Sequence, residues 1–282
     1  MVPSAAVATS NPAQPPRRPR ALAGAIPAAI LVLVASWQVG AIACAGSQIP
    51  SGQDWAQAAA YVREHRSDEE LIVFAPSWID PVGRLHLGDA IPIEMAARMD
   101  AARYPAIWEL SARGARAPAT RDLEPDSEIR FGGLRVRRYV QEPAEVVTDF
   151  LAAFSGAELH GAWARRPALA LEEVGFSPRR CVRAVPRAGG KVTITFSDVE
   201  LGERLVGYAG LADIFTLRDI REPGRLRIDV DGEQVASVNL GIDDGWVRFA
   251  AETAPRTGAE VVFVASAEVP ERLICFAAEA RR

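Results

Sequence analysis

Residues 225–240 read RLRIDVDGEQVASVNL, and this stretch predicts the fold of the C-terminal half of the chain. Apolar and polar side chains alternate over residues 225–230, which is the pattern of a strand with one buried face. Asp231-Gly232 follows, the dipeptide that most strongly favours a two-residue hairpin turn, and residues 234–240 return beside the first run. The stretch therefore predicts an antiparallel β-hairpin.

Further strand-like runs lie on both sides of this hairpin. They cover residues 191–196, 204–211, 246–251, 260–266 and 272–280. Strands of this length at close and regular spacing are typical of antiparallel sandwiches and jelly rolls. We therefore predict a jelly-roll-like β-sandwich over residues 170–282.

The same half of the chain resembles carbohydrate-binding β-sandwiches of the galactose-binding-like class. The resemblance rests on the hairpin motif Asp231-Gly232, the turn motif Asp244-Gly245-Trp246, and the last strand with Arg272, Cys275 and Phe276. It implies a role in glycan binding. Ligand-binding residues in that class lie on variable loops, so the resemblance assigns none of them in this sequence.

The N-terminal segment is first basic and then uncharged. Residues 1–20 contain no acidic residue and end in RRPR, and residues 21–53 contain no charged residue. The apolar part, residues 21–44, is long enough to span a bilayer core of about 30 Å as a helix. The composition of residues 1–20 predicts a disordered tail. Because the basic cluster precedes the apolar run, the positive-inside rule places this tail in the cytoplasm. One helix would then cross the inner (cytoplasmic) membrane, and the remainder would be periplasmic or extracellular.

Two alternatives to an uncleaved anchor remain open. A secretory signal peptide would be removed, although its apolar stretch is usually about 7–15 residues long. Alternatively, Ile42-Ala43-Cys44-Ala45 resembles a lipobox, in which Cys44 would carry the lipid of a lipoprotein. All three interpretations place residues 54–282 outside the cytoplasm.

Residues 50–140 mix helical and strand-like patterns. Apolar residues fall at helical spacing along WAQAAAYVREH, which predicts a first helix. The predicted elements after it are a buried strand at 71–75, a helix at 91–102, and strands at 106–110 and 129–140. This order predicts a small α/β unit with a partly parallel sheet. Residues 141–169 are predicted to be a linker that contains a helix at 143–153, so the fold class of the whole chain is α+β.

Part of this unit resembles the soluble tail of bacterial membrane glycosyltransferases of the dolichyl-phosphate-mannose (protein mannosyltransferase-like) type. The resemblance covers roughly residues 30–140 and rests on Asp54-Trp55, on LIVFAPSWIDPVGRLHLGD at 71–89, and on RYPAIWELSARGAR at 103–116. The catalytic aspartates of that family lie in loops between many membrane helices, and this sequence predicts one such helix. The resemblance therefore implies an accessory tail and carries over no catalytic residue.

Residues Trp78 to Asp89 are predicted to form a loop, and this loop is the candidate ligand-binding segment. It follows a predicted strand directly, and open α/β sheets bind ligands beyond the ends of their strands. A sugar site would use an aromatic face for stacking and charged groups for hydroxyls or a phosphate. The candidate residues are Trp78, Asp80, Arg84, His86 and Asp89. In the alternative, structural interpretation, Asp80 pairs with Arg84, Trp78 packs on the core and His86 lies on the surface.

Four charged residues farther along the chain raise the same choice. Arg98, Asp100, Arg103 and Arg113 either line the same pocket or form a solvated helix face with local ion pairs.

Cysteine and histidine are scarce, with three of each. No zinc pattern can be assembled from them at these spacings, so we predict neither a metal nor another cofactor. Cys181 and Cys275 are a candidate disulfide, because thiols outside the cytoplasm can oxidise and the first and last strands of a sandwich are often neighbours. The alternative is a pair of buried free thiols.

Charge and motifs narrow the function. The net charge of −4 argues against a nucleic-acid partner. The sequence contains neither a Gly-x-Ser-x-Gly elbow nor a His-Glu-x-x-His motif. These observations favour a membrane-anchored, non-enzymatic envelope protein that binds glycan or a protein partner. The alternatives are an accessory subunit of a membrane glycosyltransferase and a glycan-active enzyme that uses the Trp78–Asp89 segment.

Overall fold

The computed structural model describes residues 21–47, 49–212, 222–270 and 272–282, with the side chains of the first helix described at residues 27 and 29–41. The predicted tail at residues 1–20 lies outside the described residues. The chain divides into two compact units, residues 1–49 and 50–282.

In the described part of the first unit, Ala21–Ser47 form helix α1, which is 27 residues long and includes Pro27. A helix therefore occupies the segment in which the membrane anchor is predicted. Judged on the residues that the structure describes, none of its helices combines the length and the apolarity that a bilayer crossing requires.

The second unit begins with a helix-and-sheet layer. Its helices are α2 (Gly52–His65), α3 (Asp80–Leu87) and α4 (Ile93–Ala96), with short 3-10 turns at Ser77–Ile79, Gly88–Ala90 and Pro118–Thr120. Its strands are β1 (Leu71–Ala75), β2 (Ala106–Ala112), β3 (Ser127–Phe131) and β4 (Leu134–Val140). They form one sheet in the order β1-β2-β4-β3, in which β1 and β2 are parallel and the other pairs are antiparallel. The predicted partly parallel sheet is confirmed.

Local sequence explains how this layer begins. The Ser51 hydroxyl accepts a hydrogen bond from the Asp54 amide (3.2 Å), and the Asp54 carboxylate accepts one from the Ser51 amide (2.9 Å). This reciprocal pair is a capping box, which satisfies two amides at the start of α2. Strand β1 is buried at all five positions, as expected for a strand covered on both faces.

The predicted loop between Trp78 and Asp89 is instead largely helical. Pro81 lies in the first turn of α3, where a missing N–H is tolerated. Gly83 is not a breaker, because its missing side chain leaves room for the Phe74 ring, which a Cβ atom there would overlap. Both residues therefore favour this helix in its packed position.

The predicted helix at 91–102 is wrong in extent, because α4 is a single turn. Beyond it, carbonyl groups bond to other segments in place of further helix. The Ala97 carbonyl accepts a hydrogen bond from the Arg180 amide (3.0 Å), and the Ala102 carbonyl accepts one from the Ala144 amide (2.8 Å). Tertiary contacts thus replace helical ones.

The predicted single strand at 129–140 is a hairpin of β3 and β4. Its turn contains Gly132, with a φ of +52°, and the Gly133 amide donates to the Asp54 carboxylate at 3.2 Å. A side chain at Gly132 would overlap that carboxylate. The turn therefore needs glycine both for its backbone conformation and for this close approach.

The rest of the second unit is a β-sandwich. Its strands are β5 (Val146–Asp149), β6 (Glu158–Gly161), β7 (Trp163–Val174), β8 (Ser177–Pro186), β9 (Gly190–Leu201), β10 (Arg204–Ala212), β11 (Gly224–Val230), β12 (Glu233–Leu240), β13 (Val247–Glu252), β14 (Arg256–Ala267) and β15 (Leu273–Arg281). One sheet has the order β13-β10-β15-β8-β7, with β5 also paired to β15. The other has the order β12-β11-β14-β9-β6.

The hairpin predicted from the opening stretch is confirmed. Strands β11 and β12 pair antiparallel around Asp231 and Gly232, whose φ angles are +50° and +84°. Two successive positive φ angles are the requirement of the turn type that Asp-Gly favours.

The sandwich begins before residue 170, and the helix predicted at 143–153 is wrong. Residues 146–149 form strand β5, which pairs with residues 279–281 of β15, and a 3-10 turn follows at Ala152–Gly156. A helix here would leave that part of β15 without a partner on this side. The predicted linker is therefore mostly sheet.

Each layer has its own apolar core. The sandwich core lies between its two sheets and includes Phe263, whose ring centre is 4.6 Å from that of Phe276, 5.2 Å from that of Phe150 and 5.8 Å from that of Phe196. Burial of each such ring contributes about 1.5–3 kcal/mol. The helix-and-sheet layer packs around Trp108 and Tyr139. Whether residues 50–140 and 170–282 fold as separate domains stays a prediction.

Candidate functional site

In the structure, the residues of the predicted Trp78–Asp89 site make separate contacts with neighbouring side chains. Arg84 Nε donates to Asp80 Oδ2 at 2.6 Å, one helical turn apart. Trp78 is 59% exposed, and the Arg113 guanidinium lies 5.7 Å from its ring. The Asp80–Arg84 contact is the one that the structural interpretation of this segment predicts.

His86 and Asp89 contact α2. The His86 ring stacks on Trp55 with 5.9 Å between ring centres. Asp89 accepts hydrogen bonds from Arg63 at 2.7 and 3.3 Å, and these hydrogen bonds lower the pKa of Asp89. The five predicted residues thus share one short segment, and a binding role for them stays a prediction.

A cleft of about 590 Å³ lies elsewhere, between residues 93–104 and the six-stranded sheet of the sandwich. This volume lies within the range of small-ligand sites, about 300–1,000 Å³. We call it the interlayer cleft. Its sheet side includes Ala277 and Glu279, which alternate along β15 with the core residues Phe276 and Ala278. The cleft therefore uses the sheet face that points away from the sandwich core.

The interlayer cleft combines apolar walls with charged groups. Ile93, Leu169 and Leu171 line it and are 49–54% exposed. Its polar lining consists of Glu94, Arg98, Asp100, Arg103, Tyr104, Asp149, Arg180 and Glu279. Apolar surface with a few convergent polar groups is the usual composition of a ligand site.

Ion pairs fix the floor of the cleft. Arg103 donates to Glu279 and to Asp149, both at 2.6 Å. Arg281 donates to Asp100 at 2.9 Å and, at 2.6–2.7 Å, to Glu279. These bonds tie the segment around residue 100 to strands β5 and β15, so the charged groups are held in place before any ligand arrives.

Burial and pairing act in opposite directions on these groups. Burial raises the pKa of Glu279, although both arginines oppose the shift. Burial lowers the pKa of Arg103 and of Arg281, but their hydrogen bonds and ion pairs with carboxylates outweigh it, and the pKa of each arginine is raised overall. Of these three groups, only Glu279 has its pKa shifted towards the uncharged form.

Cys181 lines the interlayer cleft and is joined to Cys275 in a disulfide, with 5.5 Å between the two Cα atoms. The bond links β8 to β15, neighbouring strands of the sheet. It therefore covalently fixes two of the strands that form the cleft floor.

The interlayer cleft is not the site that the sequence predicts, although the sequence analysis named three residues that line it. It offered Arg98, Asp100, Arg103 and Arg113 as lining of the Trp78–Asp89 site, whereas the structure places the first three at the interlayer cleft, which Arg113 does not line. Sequence reasoning missed Asp149 and Glu279, because they lie 46 and 176 residues from Arg103 and no local pattern connects them. Among the described residues, no group of three or more His, Cys, Asp or Glu side chains is placed to hold a metal ion.

No family model matches the chain, and no curated protein matches it significantly. Similar solved structures do exist. They include carbohydrate-binding modules.

One of these structures holds the CBM51-2 and INT domains of Clostridium perfringens ZmpB in complex with GlcNAc. It has 13% identity and a TM-score of 0.37, and the match covers 54% of this chain and 35% of that one. This chain thus spans about a third of the length of that structure.

Two other structures are single domains. The CBM22-1 xylan-binding domain of Paenibacillus barcinonensis Xyn10C has 14% identity and a TM-score of 0.34, covering 50% of this chain and 97% of that one. The CBM51 of Clostridium perfringens GH95 in complex with methyl-galactose has 10% identity and a TM-score of 0.33, covering 47% and 99%. Similarity at this level does not assign a ligand to this chain, and it leaves the mannosyltransferase-like resemblance a prediction.

Proposed function

We propose that this protein binds glycan, without catalysis, in the interlayer cleft. The observation that carries the proposal is the composition of the cleft. A sugar ring offers apolar C–H faces together with several hydroxyls. The exposed leucines Leu169 and Leu171 supply apolar contact, and the ion-paired floor supplies donors and acceptors at fixed positions.

The floor is suited to binding because it is already ordered. Arg103, Glu279 and Arg281 hold one another by bonds of 2.6–2.7 Å. A ligand therefore need not immobilise these long side chains, and that immobilisation otherwise costs about 0.5–1.5 kcal/mol for each side chain. Tyr104, half-buried in the lining, offers an aromatic surface beside them.

The proposal includes the location that the sequence predicts. Residues 21–44 would anchor the protein in the inner membrane, and residues 50–282 would lie outside the cytoplasm, where glycans of the cell envelope are found. The support is the uncharged run after the basic RRPR motif. Protease added to spheroplasts should remove a C-terminal tag and leave a short protected N-terminal fragment. A tag that survives in intact spheroplasts would refute this topology.

A glycan array with residues 50–282, a compact unit with its own apolar cores, tests the binding function. Leu171→Asp places a charge on the apolar wall of the cleft. It should weaken binding about tenfold or more while leaving the melting temperature unchanged, because Leu171 is 51% exposed. Leu85→Asp is the matched control, since Leu85 is 81% exposed on α3 and does not line the cleft. Equal binding by the two variants would place the site elsewhere.

A second candidate function is that of an accessory subunit for a membrane glycosyltransferase. It is favoured by an apolar stripe on the 3-10 turn and α3, formed by Trp78, Val82 and Leu85, which are 59%, 43% and 81% exposed. Exposed apolar patches often mark protein interaction sites. The stripe also lies within the part of the sequence that resembles the mannosyltransferase-like tail. If this function is right, Leu85→Asp should abolish co-purification with a co-expressed glycosyltransferase, and Leu171→Asp should not.

A further inference from the structure

The arginines at the interlayer cleft differ in their partners. Arg103 pairs with Asp149 and Glu279, and Arg180 pairs with Glu94 at 3.0 Å. Arg98 has no ion pair within the described part of the chain. A half-buried cation without a counter-ion is unusual, because burial of an unpaired charge is costly.

The environment of Arg98 shows that its charge is not compensated from nearby. It makes one hydrogen bond to a described residue, from Nη1 to the Met95 carbonyl at 2.9 Å. The two carboxylates that act on it electrostatically already bind other arginines: Asp80 binds Arg84 at 2.6 Å and Asp100 binds Arg281 at 2.9 Å. Burial lowers the pKa of Arg98. The rest of its guanidinium group therefore remains available at the cleft.

A second arginine, Arg179, lies near enough to Arg98 for the two charges to interact. Arg179 is held between two aromatic rings, 4.3 Å from the centre of Tyr208 and 5.1 Å from that of Trp246. Its Nη1 is buried and has no hydrogen-bond partner among the described residues. Burial, with a contribution from the charge of Arg98, lowers the pKa of Arg179 to about 10.

The two arginines are held near each other by the backbone. The amide of Arg180, the residue after Arg179, donates to the carbonyl of Ala97, the residue before Arg98, at 3.0 Å. The protein thus brings together two cations that repel each other and that both lack a carboxylate partner among the residues described. A bound anion would offset both the repulsion and the burial of charge.

We infer that the glycan bound in the interlayer cleft carries an oxyanion, either a carboxylate or a phosphate, which Arg98 binds and the charge of Arg179 supports. The inference rests on the proposed glycan-binding function and adds the class of ligand. Arginine suits this role because its planar fork can donate two parallel hydrogen bonds to one oxyanion.

The test compares acidic and neutral sugars that are otherwise matched. Residues 50–282 are titrated by calorimetry with glucuronate, with glucose 1-phosphate, and with glucose as the neutral counterpart; an array of acidic and neutral glycans extends the comparison to longer chains and other sugar stereochemistries. Acidic ligands should bind about tenfold or more tightly than their neutral counterparts. The first two probes separate a carboxylate from a phosphate as the preferred anion.

Two variants assign the effect to the residue. Arg98→Gln should reduce the affinity for acidic ligands to that for neutral ones. Arg113→Gln removes an arginine that lies over Trp78 and does not line the cleft, and it should change neither affinity. Because Arg98→Gln can also disturb folding, the salt dependence of the wild-type protein provides an independent measurement. The affinity for acidic ligands should fall several-fold between 50 and 500 mM NaCl while the affinity for neutral ones stays constant.

The outcomes distinguish the inference from the function on which it rests. Equal affinity for neutral and acidic glycans, or acidic binding that Arg98→Gln and salt leave unchanged, would overturn the anionic ligand and keep glycan binding. Failure to bind any glycan on the array would overturn the proposed function and this inference with it.

Discussion

Arg103 is one of the side chains that join the helix-and-sheet layer to the sandwich by charged contacts, and its replacement gives a quantitative test. Arg103→Met keeps the aliphatic stem and removes the bonds of 2.6 Å to Glu279 and Asp149. Breaking a buried ion pair from one side costs about 3–5 kcal/mol. Two observations reduce this figure here. The Arg103 side chain is 42% exposed, and Glu279 keeps its second partner, Arg281.

We therefore expect Arg103→Met to lower the free energy of unfolding by about 1.5–2.5 kcal/mol near pH 7.5. The loss should depend on pH. Burial places the pKa of Glu279 above its unfolded value, so the folded state favours the protonated carboxyl. This favourable contribution is complete below the unfolded pKa, about 4.3, and is lost as the pH rises through the folded pKa. Removing Arg103 raises the folded pKa further, so the variant loses more stability at high pH than at low pH.

Urea unfolding of residues 50–282 at pH 4.5 and pH 7.5, followed by circular dichroism, measures the effect. The difference between wild type and Arg103→Met should be small at pH 4.5 and close to its full value at pH 7.5. Arg204→Met is the matched control, because it removes an exposed pair with Glu252 (63% and 78% exposed side chains). It should cost less than about 1 kcal/mol at either pH. A loss for Arg103→Met that is equal at the two pH values, or below about 0.5 kcal/mol, would refute this account of the cleft floor.

Three further substitutions test separate features. Arg84→Ala removes an exposed pair one helical turn long, so thermal unfolding should show a change of at most about 0.5 kcal/mol; a larger loss with unchanged ligand affinity would assign the residue a purely structural role. Cys181→Ala removes the disulfide to Cys275, which joins residues 94 positions apart in the sequence. It should lower the free energy of unfolding by about 4 kcal/mol in urea without reductant. Equal stability of the wild-type protein with and without reductant would contradict the bond. Gly83→Ala would overlap the Phe74 ring and should cost about 1–3 kcal/mol; an unchanged melting temperature would show that α3 can shift.

Local patterns were sufficient for the elements whose bonds are local. The hairpin at Asp231-Gly232 and the first helix along WAQAAAYVREH depend on residues within a few positions, and both follow from the sequence. The helix between Trp78 and Asp89 was not predicted, because proline and glycine usually interrupt helices and the segment contains Pro81 and Gly83. Their positions in the first turn and against the Phe74 ring make them compatible with a helix, and packing of this kind is not encoded in spacing.

The interlayer cleft shows the other limit of sequence reasoning. Its floor joins Arg103 to Glu279 across 176 residues and Asp100 to Arg281 across 181. Each of these residues looks like an ordinary surface charge in its own segment, and only the register of β15 brings them together. The helix predicted at 143–153 failed for the same reason, since the pairing of residues 146–149 with that strand decides their conformation.

The position of β15 also has a consequence for the order of events during synthesis. Residues 273–281 lie between β10 on one side and β8 and β5 on the other, and every one of them is buried. They leave the ribosome after all the other strands of both sheets. Until then β10 and β8 lack their common neighbour, and Cys181 lacks its partner, Cys275. Completion of the sandwich and of the cleft floor therefore waits until residues 273–281 have been synthesised, so neither can form strand by strand as the earlier residues emerge.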